Sequence, residues 1–354
     1  MKEIEIDGFK INENSVPYII AEAGVNHESS LEIAEKMIVS AKKAGANAIK
    51  FQTYEPEDLV AKDSPKYWVD DKPNETQFEF FKRSSLWKRD MAIELQKICI
   101  KNEITFLSTG FDKKSIDLLD EIGMKAFKVA SADITSLSLL EHIAKKNKPV
   151  ILSTGASNIS EIEKAIETIM NTGNDQIILL HCILSYPTPI NEANLQMIKS
   201  LQMTFPNIPV GFSDHIIPDE SYVIPIVCTA LGGKVIEKHF TVDRNIQGND
   251  HYHSVDPDML TNLVEFTKKA FLSLGKYDKE PISIEFSARK NARRSVAYSQ
   301  DLKKGSIIEK HHLKLLRPGT GIDPYVEKKL LGLELKNDVV ENYLVKWSDF
   351  NNEQ

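Results

Sequence analysis

Residues 18–53 read YIIAEAGVNHESSLEIAEKMIVSAKKAGANAIKFQT. Two apolar, β-branched runs, 18–24 and 47–53, flank a segment whose apolar side chains recur every three to four positions. This order is typical of a strand, a helix and a second strand parallel to the first. Ser29 and Glu32 have the spacing of a capping box, which predicts that the helix begins there. The segment therefore predicts a βαβ unit.

The same alternation of runs continues from Pro17 to about Thr267. Each apolar run turns polar at its end, as expected of a strand that is buried on both faces and surfaces at one rim of the sheet. Asn158 and Glu161 mark another helix start between two such runs. The eight runs are YIIAEAG (18–24), NAIKFQT (47–53), ITFLSTG (104–110), KAFKVAS (125–131), PVILSTG (149–155), QIILLHC (176–182), IPVGFSDH (208–215) and KVIEKHF (234–240).

Eight strand–helix repeats in about 250 residues favour an α/β fold of the (β/α)₈ TIM-barrel type. An open, doubly wound sheet with additional strands would give the same pattern and is the alternative. In the barrel, we expect the functional site at the C-terminal ends of the strands.

The composition is that of a globular protein. The chain has 354 residues, of which 42% are hydrophobic and 27% charged, and this argues against disordered, collagenous and disulfide-scaffold proteins. A net charge of −7 gives no basic field, so we expect no nucleic-acid partner. Three widely spaced cysteines indicate a reducing compartment. MKEIEIDGFKI lacks a signal-peptide core and no long apolar stretch follows, so we expect a cytoplasmic protein without a membrane partner.

Two regions depart from the repeats. The second connection, about 54–86, is long, and its charged and aromatic tract 66–88 predicts a loop or lid over the strand ends, with a surface insertion as the alternative. After the barrel domain, 1–274, the sequence becomes charged and loses helical period, which predicts a linker over 275–290. Residues 291–354 then form a small domain with a marginal core of its own.

Polar residues occupy alternate positions near the ends of several runs. Because successive strand residues face opposite sides, Glu237 and His239 share one face while Lys238 points to the other. Charged groups at a barrel mouth either pair with each other or bind a charged substrate, since a lone buried charge is costly. The other same-face pairs are Lys50 with Gln52 and Ser213 with His215.

His215 and His239 end the last two runs. Neighbouring strands lie ~4.8 Å apart, so the two imidazoles can converge on one ion. Waters, substrate oxygens or the Glu237 carboxylate would complete the site, which suits a borderline ion such as Mn²⁺ or Zn²⁺. The alternative is a pair of ordinary histidines hydrogen-bonded at strand ends.

Cationic and hydroxyl donors at other strand ends suit a phosphate or carboxylate ligand. The alternative is a structural network of these lysines with Glu22 and Glu237. The donors are Lys50, Lys128, Ser131, Ser153 and Ser213.

Two further tracts are interpreted as structural. Cys182 follows His181 without an obvious activating partner and is interpreted as a small buried residue. GNDHYH (248–253) places His251 and His253 near Asp250 and is interpreted, taken alone, as a solvated loop.

Ordered motifs along nearly the whole chain resemble those of the sialic acid (N-acetylneuraminate) synthase family, the phosphoenolpyruvate-dependent synthases of nonulosonic acids. The tract RRSVAY…LKKGSII…LLRPGTGI is similar to the antifreeze-like SAF domain of these enzymes, which implies a small β-rich SAF domain after the barrel. The motifs are AEAGVNHE (21–28), AIKFQT (48–53), FKVAS (127–131), STGAS (153–157), HC…SYPTP (181–189), GFSDH (211–215), EKHFT (237–241) and GND (248–250).

The resemblance implies a transferase that condenses phosphoenolpyruvate with an N-acyl amino sugar aldehyde, commonly N-acetylmannosamine, and releases phosphate. It implies that His215 and His239 hold a divalent ion, Mn²⁺ first and Mg²⁺ or Co²⁺ as alternatives, which polarises the aldehyde. The matching positions imply catalytic roles for Glu22, Lys50, Lys128 and Glu237, a phosphoenolpyruvate site of Lys50, Lys128, Ser131, Ser153 and Ser213, and sugar contacts from Gln52, Tyr186, Glu237, Asp250 and Arg317.

Arg317 matches an arginine that reaches from the SAF domain into the barrel of the other subunit, so the resemblance implies a domain-swapped homodimer. The tract after Cys182 contains Leu184 and Ser185 where an asparagine is typical, which leaves the acceptor open. Legionaminic, pseudaminic or spore-coat polysaccharide sugars are alternatives to N-acetylneuraminate. A synthase of phosphorylated seven- or eight-carbon keto acids would lack the SAF tail. A carbohydrate-binding or coat-assembly protein without catalysis is the alternative of another class.

Overall fold

The chain divides into two compact units, Met1–Gly275 and Lys276–Gln354. The first is an α/β barrel and the second a small unit with two short strands. A computed structural model of the protein describes residues 1–68, 72, 74–84, 89–248 and 250–351.

Strands and helices alternate along the first unit. The strands are β1 (Ile4–Ile6), β2 (Phe9–Ile11), β3 (Tyr18–Gly24), β4 (Ala48–Thr53), β5 (Thr105–Gly110), β6 (Phe127–Val129), β7 (Val150–Ser153), β8 (Ile177–Cys182), β9 (Val210–Asp214) and β10 (Val235–His239). The helices are α1 (Leu31–Lys43), α2 (Pro56–Leu59), α3 (Gln77–Ser84), α4 (Arg89–Lys101), α5 (Lys113–Glu121), α6 (Leu137–Ala144), α7 (Ile159–Met170), α8 (Gln196–Thr204), α9 (Val223–Ala230) and α10 (Pro257–Leu274). Short 3₁₀ helices lie at Ser131–Asp133, Ile190–Glu192 and His251–His253.

The eight strands β3 to β10 form a closed parallel barrel in which β10 pairs with β3. Every strand lies inside one of the eight runs expected from the sequence, so the barrel is confirmed and the open sheet is wrong. All residues of these strands are buried except Gln52, which is half-buried. Continuous burial is what strands require when helices cover one face and packed side chains fill the other.

Pairing between strands brings the predicted polar residues to one level of the barrel. Glu22 lies opposite both Lys50 on β4 and His239 on β10. Glu237 lies opposite Ser213 on β9. The predicted alternation holds, because Lys238 points away from Glu237 and forms an ion pair with Asp214, with 3.1 Å between Nζ and Oδ2.

Helix α1 packs Ala34, Met37, Ile38 and Ala41 against the barrel. Its capping residue is Ser30, whose hydroxyl accepts a hydrogen bond from the backbone of Ile33, so the predicted Ser29–Glu32 capping box is wrong. Ser29 has a φ of 56°, whereas a capping residue needs extended backbone.

The capping box predicted for α7 is confirmed. The Asn158 side chain accepts a hydrogen bond from the Glu161 backbone, and the Glu161 carboxylate accepts one from the Asn158 backbone. This reciprocal pair satisfies two N–H groups that the first turn of the helix leaves without intrahelical acceptors.

An N-terminal hairpin of β1 and β2 precedes the barrel and was not predicted from the sequence. Ile4, Ile6 and Ile11 are buried in the core, and each contributes roughly 1.5–3 kcal/mol of burial free energy. The Asp7 carboxylate in the hairpin turn accepts a hydrogen bond from Thr105 at the start of β5.

The second unit has its own core around strands β11 (Ser295–Tyr298) and β12 (Leu313–Leu316), which pair antiparallel. A short helix, α11 (Phe286–Ala292), lies in an exposed segment before β11. The domain and linker bounds expected from the sequence stay a prediction. Among the described residues, no helix has the length and hydrophobicity that a membrane crossing requires.

Candidate active site

The C-terminal rim of the barrel opens into a pocket with an empty volume of about 1100 Å³. Arg317 belongs to the second unit, where it is exposed after β12, and its predicted role stays a prediction. The other predicted site residues all line this pocket: Glu22, Lys50, Gln52, Lys128, Ser131, Ser153, Tyr186, Ser213, His215, Glu237, His239 and Asp250.

Two lysines and two glutamates form a buried ion-pair network at the bottom of the pocket. Lys50 Nζ lies 2.5 Å from Glu22 Oε2 and 3.7 Å from Glu237 Oε2. Lys128 Nζ lies 3.5 Å from Glu237 Oε1, which also accepts a hydrogen bond from the Ser213 hydroxyl at 2.9 Å. All four charged side chains are at most 6% exposed. The structural network considered from the sequence therefore exists.

The environment gives the two carboxylates different protonation behaviour. Burial raises the pKa of Glu22 to about 7, and the opposing effect of Lys50 does not cancel it. Burial would also raise the pKa of Glu237, but Lys128 and Lys50 outweigh it and the pKa lies below its ordinary value. Glu237 is therefore ionised at neutral pH, while Glu22 exchanges its proton in that range.

Ser153 and Lys128 can donate further hydrogen bonds, to a ligand in the pocket. The hydroxyl of Ser153 is buried and has no hydrogen-bond partner among the described residues. Lys128 donates one hydrogen bond, of 3.3 Å, to the Val129 carbonyl, and burial lowers the pKa of its ammonium group. A buried donor without a partner is costly, so this part of the pocket has hydrogen-bonding capacity for a ligand.

Gly155 permits the close packing of the loops that carry these donors. A Cβ atom at this position would lie 2.8 Å from Cys182 Sγ and 3.0 Å from Ser131 Oγ. This steric role of Gly155, which lies within the STGAS motif, was not predicted from the sequence. Burial raises the pKa of the Cys182 thiol to about 11, in keeping with its interpretation as a buried structural residue.

Three imidazoles and one tyrosine ring form a cluster, of which His215, His239 and Tyr186 line the pocket. The ring centroids of His215 and His239 are 5.5 Å apart, and those of His239 and His253 are 4.6 Å apart. Tyr186 lies 4.2 Å from His215 by the same measure. The Ile183 carbonyl contacts His215 Nδ1 at 2.8 Å, which orients the ring. Burial lowers the pKa of His215 to about 4, so the ring is neutral and able to bind a metal ion.

His239, Asp250 and His253 place one potential metal-ligand atom each within 4.8 Å of one another. The solvated loop expected for residues 248–253 is therefore wrong, because His251 and His253 are fully buried. Asn249 lies outside the described residues. Burial raises the pKa of Asp250 to about 6.

Asp250 lies in a loop that is hydrogen-bonded to the side chain of Asn26, at the end of the first barrel strand. The Asn26 side chain donates to the Phe240 carbonyl and to the Ser254 hydroxyl, both at 3.0 Å, and accepts from the Asp250 backbone at 3.1 Å. Sequence reasoning missed this residue, although it lies within the quoted AEAGVNHE motif. The motif thus positions a segment that is distant in sequence.

His251 holds the same loop from the other side. Its Nε2 lies 2.8 Å from Glu28 Oε1, and its Nδ1 lies 2.8 Å from the Thr241 hydroxyl. Both ring nitrogens are therefore occupied by protein partners, so His251 orients the loop rather than binding a ligand.

Aromatic side chains cover the upper part of the pocket. Trp68 packs against Tyr67 and Phe80, with ring centroids 4.9 and 5.0 Å apart. Phe111 and Tyr252 add to this wall. Tyr67, Trp68, Phe80 and Phe81 of the long second connection thus line the pocket, as the lid interpretation expects. Residues 69–71, 73 and 85–88 of that connection lie outside the described residues.

Comparison with known proteins identifies the fold family. The NeuB family model matches residues 37–279, and the SAF domain model matches residues 293–351. The chain belongs to the NeuB family. The predicted family, the TIM barrel with its SAF domain, and an enzyme of nonulosonic acid synthesis are thereby confirmed.

Individual relatives cover nearly the whole chain. The N,N'-diacetyllegionaminic acid synthase of Legionella pneumophila is 38% identical over 97% of both chains. A pseudaminic acid synthase of Campylobacter jejuni is 34% identical, over 96% of this chain and 98% of the relative. The crystal structure of an N-acetylneuraminic acid synthetase from Leptospira borgpetersenii superposes with a TM-score of 0.72 at 36% identity, covering 81% of this chain and 95% of that one.

Proposed function

We propose that this NeuB-family enzyme condenses phosphoenolpyruvate with an N-acyl amino sugar aldehyde, N-acetylmannosamine or a close relative, to give a nonulosonic acid and phosphate. The observation that carries the proposal is a single pocket lined both by cationic and hydroxyl donors and by imidazoles. The donors suit an anion and the imidazoles suit a Lewis-acidic ion, and the reaction needs both.

Phosphoenolpyruvate is assigned to the side with the lysines. Lys50 and Lys128 supply positive charge, and Ser131, Ser153 and Ser213 supply hydroxyl donors around it. These contacts would fix C3 of phosphoenolpyruvate against the aldehyde, so most of their effect is positioning.

The imidazole side fits a divalent ion. His215 and His239 are buried and uncharged, and His239 Nδ1 has no hydrogen-bond partner among the described residues. We propose that these two residues hold Mn²⁺, with Mg²⁺ or Co²⁺ as alternatives. When bound, the ion polarises the aldehyde and stabilises the alkoxide that forms from it.

The remaining polar residues have assigned roles. When C3 attacks the aldehyde carbon, a water adds to C2, and the C2–O bond to phosphate then breaks. Glu22, poised between its two protonation states, is placed to accept the proton of that water. Glu237 is a second group for proton transfer, while Gln52, Tyr186 and Asp250 contact the sugar.

The aromatic wall favours an acceptor with apolar substituents. Tyr67, Trp68, Phe111 and Tyr252 would bury methyl groups but give few partners to free hydroxyls. Leu184 lines the pocket as well. We therefore propose, as a second candidate for the acceptor, a 2,4-diacetamido-6-deoxy sugar, which carries three methyl groups. The diacetyllegionaminic acid synthases among the relatives support this candidate.

A phosphate-release assay tests the proposed function. The enzyme is given phosphoenolpyruvate, Mn²⁺ and, in turn, N-acetylmannosamine, its 2,4-diacetamido-6-deoxy analogue and the altrose counterpart. We expect turnover with at least one acceptor, and the highest kcat/KM with a diacetamido sugar would favour the second candidate over N-acetylmannosamine. The absence of turnover across the panel would favour the carbohydrate-binding or coat-assembly alternative.

We also propose that the enzyme is a cytoplasmic, domain-swapped homodimer. All three cysteines are free thiols, which suits a reducing compartment. The pocket-lining lysines are already paired with carboxylates, so an arginine from a second copy would add the positive charge that two polar substrates need.

Arg317→Ala tests the role of that arginine. We expect it to raise the KM for the sugar at least about 10-fold and to leave the KM for phosphoenolpyruvate within about 2-fold, because the loss of one charge-assisted contact costs about 1.5–3 kcal/mol. Steady-state kinetics with each substrate varied in turn provides the measurement, and Arg293→Ala in the same unit is the control. Equal changes in both KM values would contradict the assignment.

A further inference from the structure

His253 lies next to the pocket residue His239, with 4.6 Å between the ring centroids, and differs from the other buried histidines in its hydrogen bonding. Its side chain is fully buried, and neither ring nitrogen has a hydrogen-bond partner among the described residues. Leaving such a group unsatisfied costs about 1–3 kcal/mol. A buried imidazole without a hydrogen-bond partner, lying beside His239 and Asp250, indicates a bound ligand.

Neighbouring histidines show what a structural imidazole looks like in this barrel. His181 contacts the Ala193 carbonyl at 2.8 Å, and His251 has protein partners at both ring nitrogens. His253 has neither arrangement. Its Nε2 lies 3.9 Å from Asp250 Oδ1, which is too long for a hydrogen bond.

The distances around His253 fit a shared ion. Ligand atoms of His239, Asp250 and His253 all lie within 4.8 Å of one another. Ligands bound at about 2.0–2.2 Å to one ion lie about 3–4.4 Å apart, so small side-chain shifts bring the three atoms onto it. Asp250 Oδ2 also lies 3.4 Å from His239 Nδ1.

We propose that His253 and Asp250 bind the divalent ion together with His215 and His239, so that the protein alone holds the ion before either substrate arrives. The inference rests on the proposed function, since it concerns the same ion. Three nitrogen ligands and one carboxylate favour Mn²⁺, Co²⁺ or Zn²⁺ over Mg²⁺, which prefers oxygen. Asp250 has two carboxylate oxygens, so one can bind the ion while the other contacts the sugar.

Mn²⁺ alone is the probe for the test. Metal-free enzyme is titrated with Mn²⁺ without phosphoenolpyruvate or sugar, and electron paramagnetic resonance measures the free ion. We expect one site per chain in the unaltered enzyme and an affinity lowered about 10- to 100-fold in His253→Ala. His311→Ala removes an exposed imidazole of the second unit and is the matched control, with unchanged affinity expected.

Electron spin-echo measurements of the bound Mn²⁺ then count the imidazole nitrogens directly. We expect three in the unaltered enzyme and two in His253→Ala. His253→Asn, which keeps a polar side chain of similar size, serves as a second variant if the alanine variant does not fold. Equal Mn²⁺ affinity and equal nitrogen counts in the unaltered and variant enzymes would overturn the proposal.

The outcomes separate this inference from the proposed function. An unaltered enzyme that releases phosphate with both substrates and Mn²⁺, but binds no Mn²⁺ without them, overturns the protein-only site and leaves the reaction standing. An enzyme that binds Mn²⁺ through three imidazoles but never releases phosphate supports the inference about the ligands and contradicts the reaction.

Discussion

Lys50→Met is expected to lower the free energy of unfolding by about 3–5 kcal/mol and to abolish phosphate release from phosphoenolpyruvate. The Lys50 ammonium group is 3% exposed and lies between Glu22 and Glu237. Its removal leaves two buried carboxylates facing each other with only Lys128 near them. The uncompensated charge lowers the free energy of unfolding, and the loss of the cation lowers the activity. A single variant therefore does not separate the effect on stability from the effect on the reaction.

The double variant Lys50→Met/Glu22→Gln separates the two effects. Neutralising Glu22 removes one of the uncompensated charges, so we expect about 1–3 kcal/mol of the lost stability to return. Activity should not return, because the substrate anion still lacks Lys50. Urea unfolding followed by circular dichroism gives the stabilities, and phosphate release gives the activity.

Lys238→Met is the matched control for this cycle. Lys238 is equally buried and ion-paired, but it faces away from the pocket toward Asp214. We expect a similar loss of stability with activity retained in the folded fraction. Recovery of activity along with stability in the double variant would mean that Lys50 is purely structural, as the alternative from the sequence states.

Sequence periodicity predicted the features that depend on neighbouring residues. A strand exposes alternate residues to opposite faces, so Glu237 and His239 could be assigned to the pocket and Lys238 to the outer face without a structure. The eight strands followed from the same reasoning, since each run is short, apolar and β-branched.

Features that depend on distant residues could not be predicted in this way. Asn26 and Ser254 are hydrogen-bonded although 228 positions separate them. The burial of His253 follows from that contact and from the pairing of His251 with Glu28, and nothing in GNDHYH itself reveals either. A local polar composition therefore predicted a solvated loop where the barrel creates a buried one.

The misplaced cap of α1 has a different cause. Ser29 and Ser30 are adjacent and chemically identical, so the sequence offers two starts one residue apart. The backbone decides between them, because Glu28 and Ser29 both adopt positive φ in the turn and only Ser30 is extended. Capping chemistry alone does not resolve such a choice.

Removal of the divalent ion is expected to lower kcat about 10³-fold or more. Among the described residues that line the pocket, Lys50 and Lys128 are the lysines and no arginine is present. Both lysines are already paired with carboxylates. No cationic side chain of this set is therefore left to stabilise the alkoxide that forms on the aldehyde, a contribution of several kcal/mol.

The measurement starts from enzyme dialysed against EDTA and then freed of the chelator. Phosphate release is assayed before and after addition of Mn²⁺, Co²⁺ or Mg²⁺, and the metal content is measured in parallel. Recovery of activity in the same sample shows that chelation did not unfold the protein. Full activity in enzyme that contains far less than one ion per chain would contradict the Lewis-acid role. The charge on the alkoxide would then have to be stabilised by a proton, and Glu22, whose pKa is about 7, and the Tyr186 hydroxyl would be the groups able to supply it.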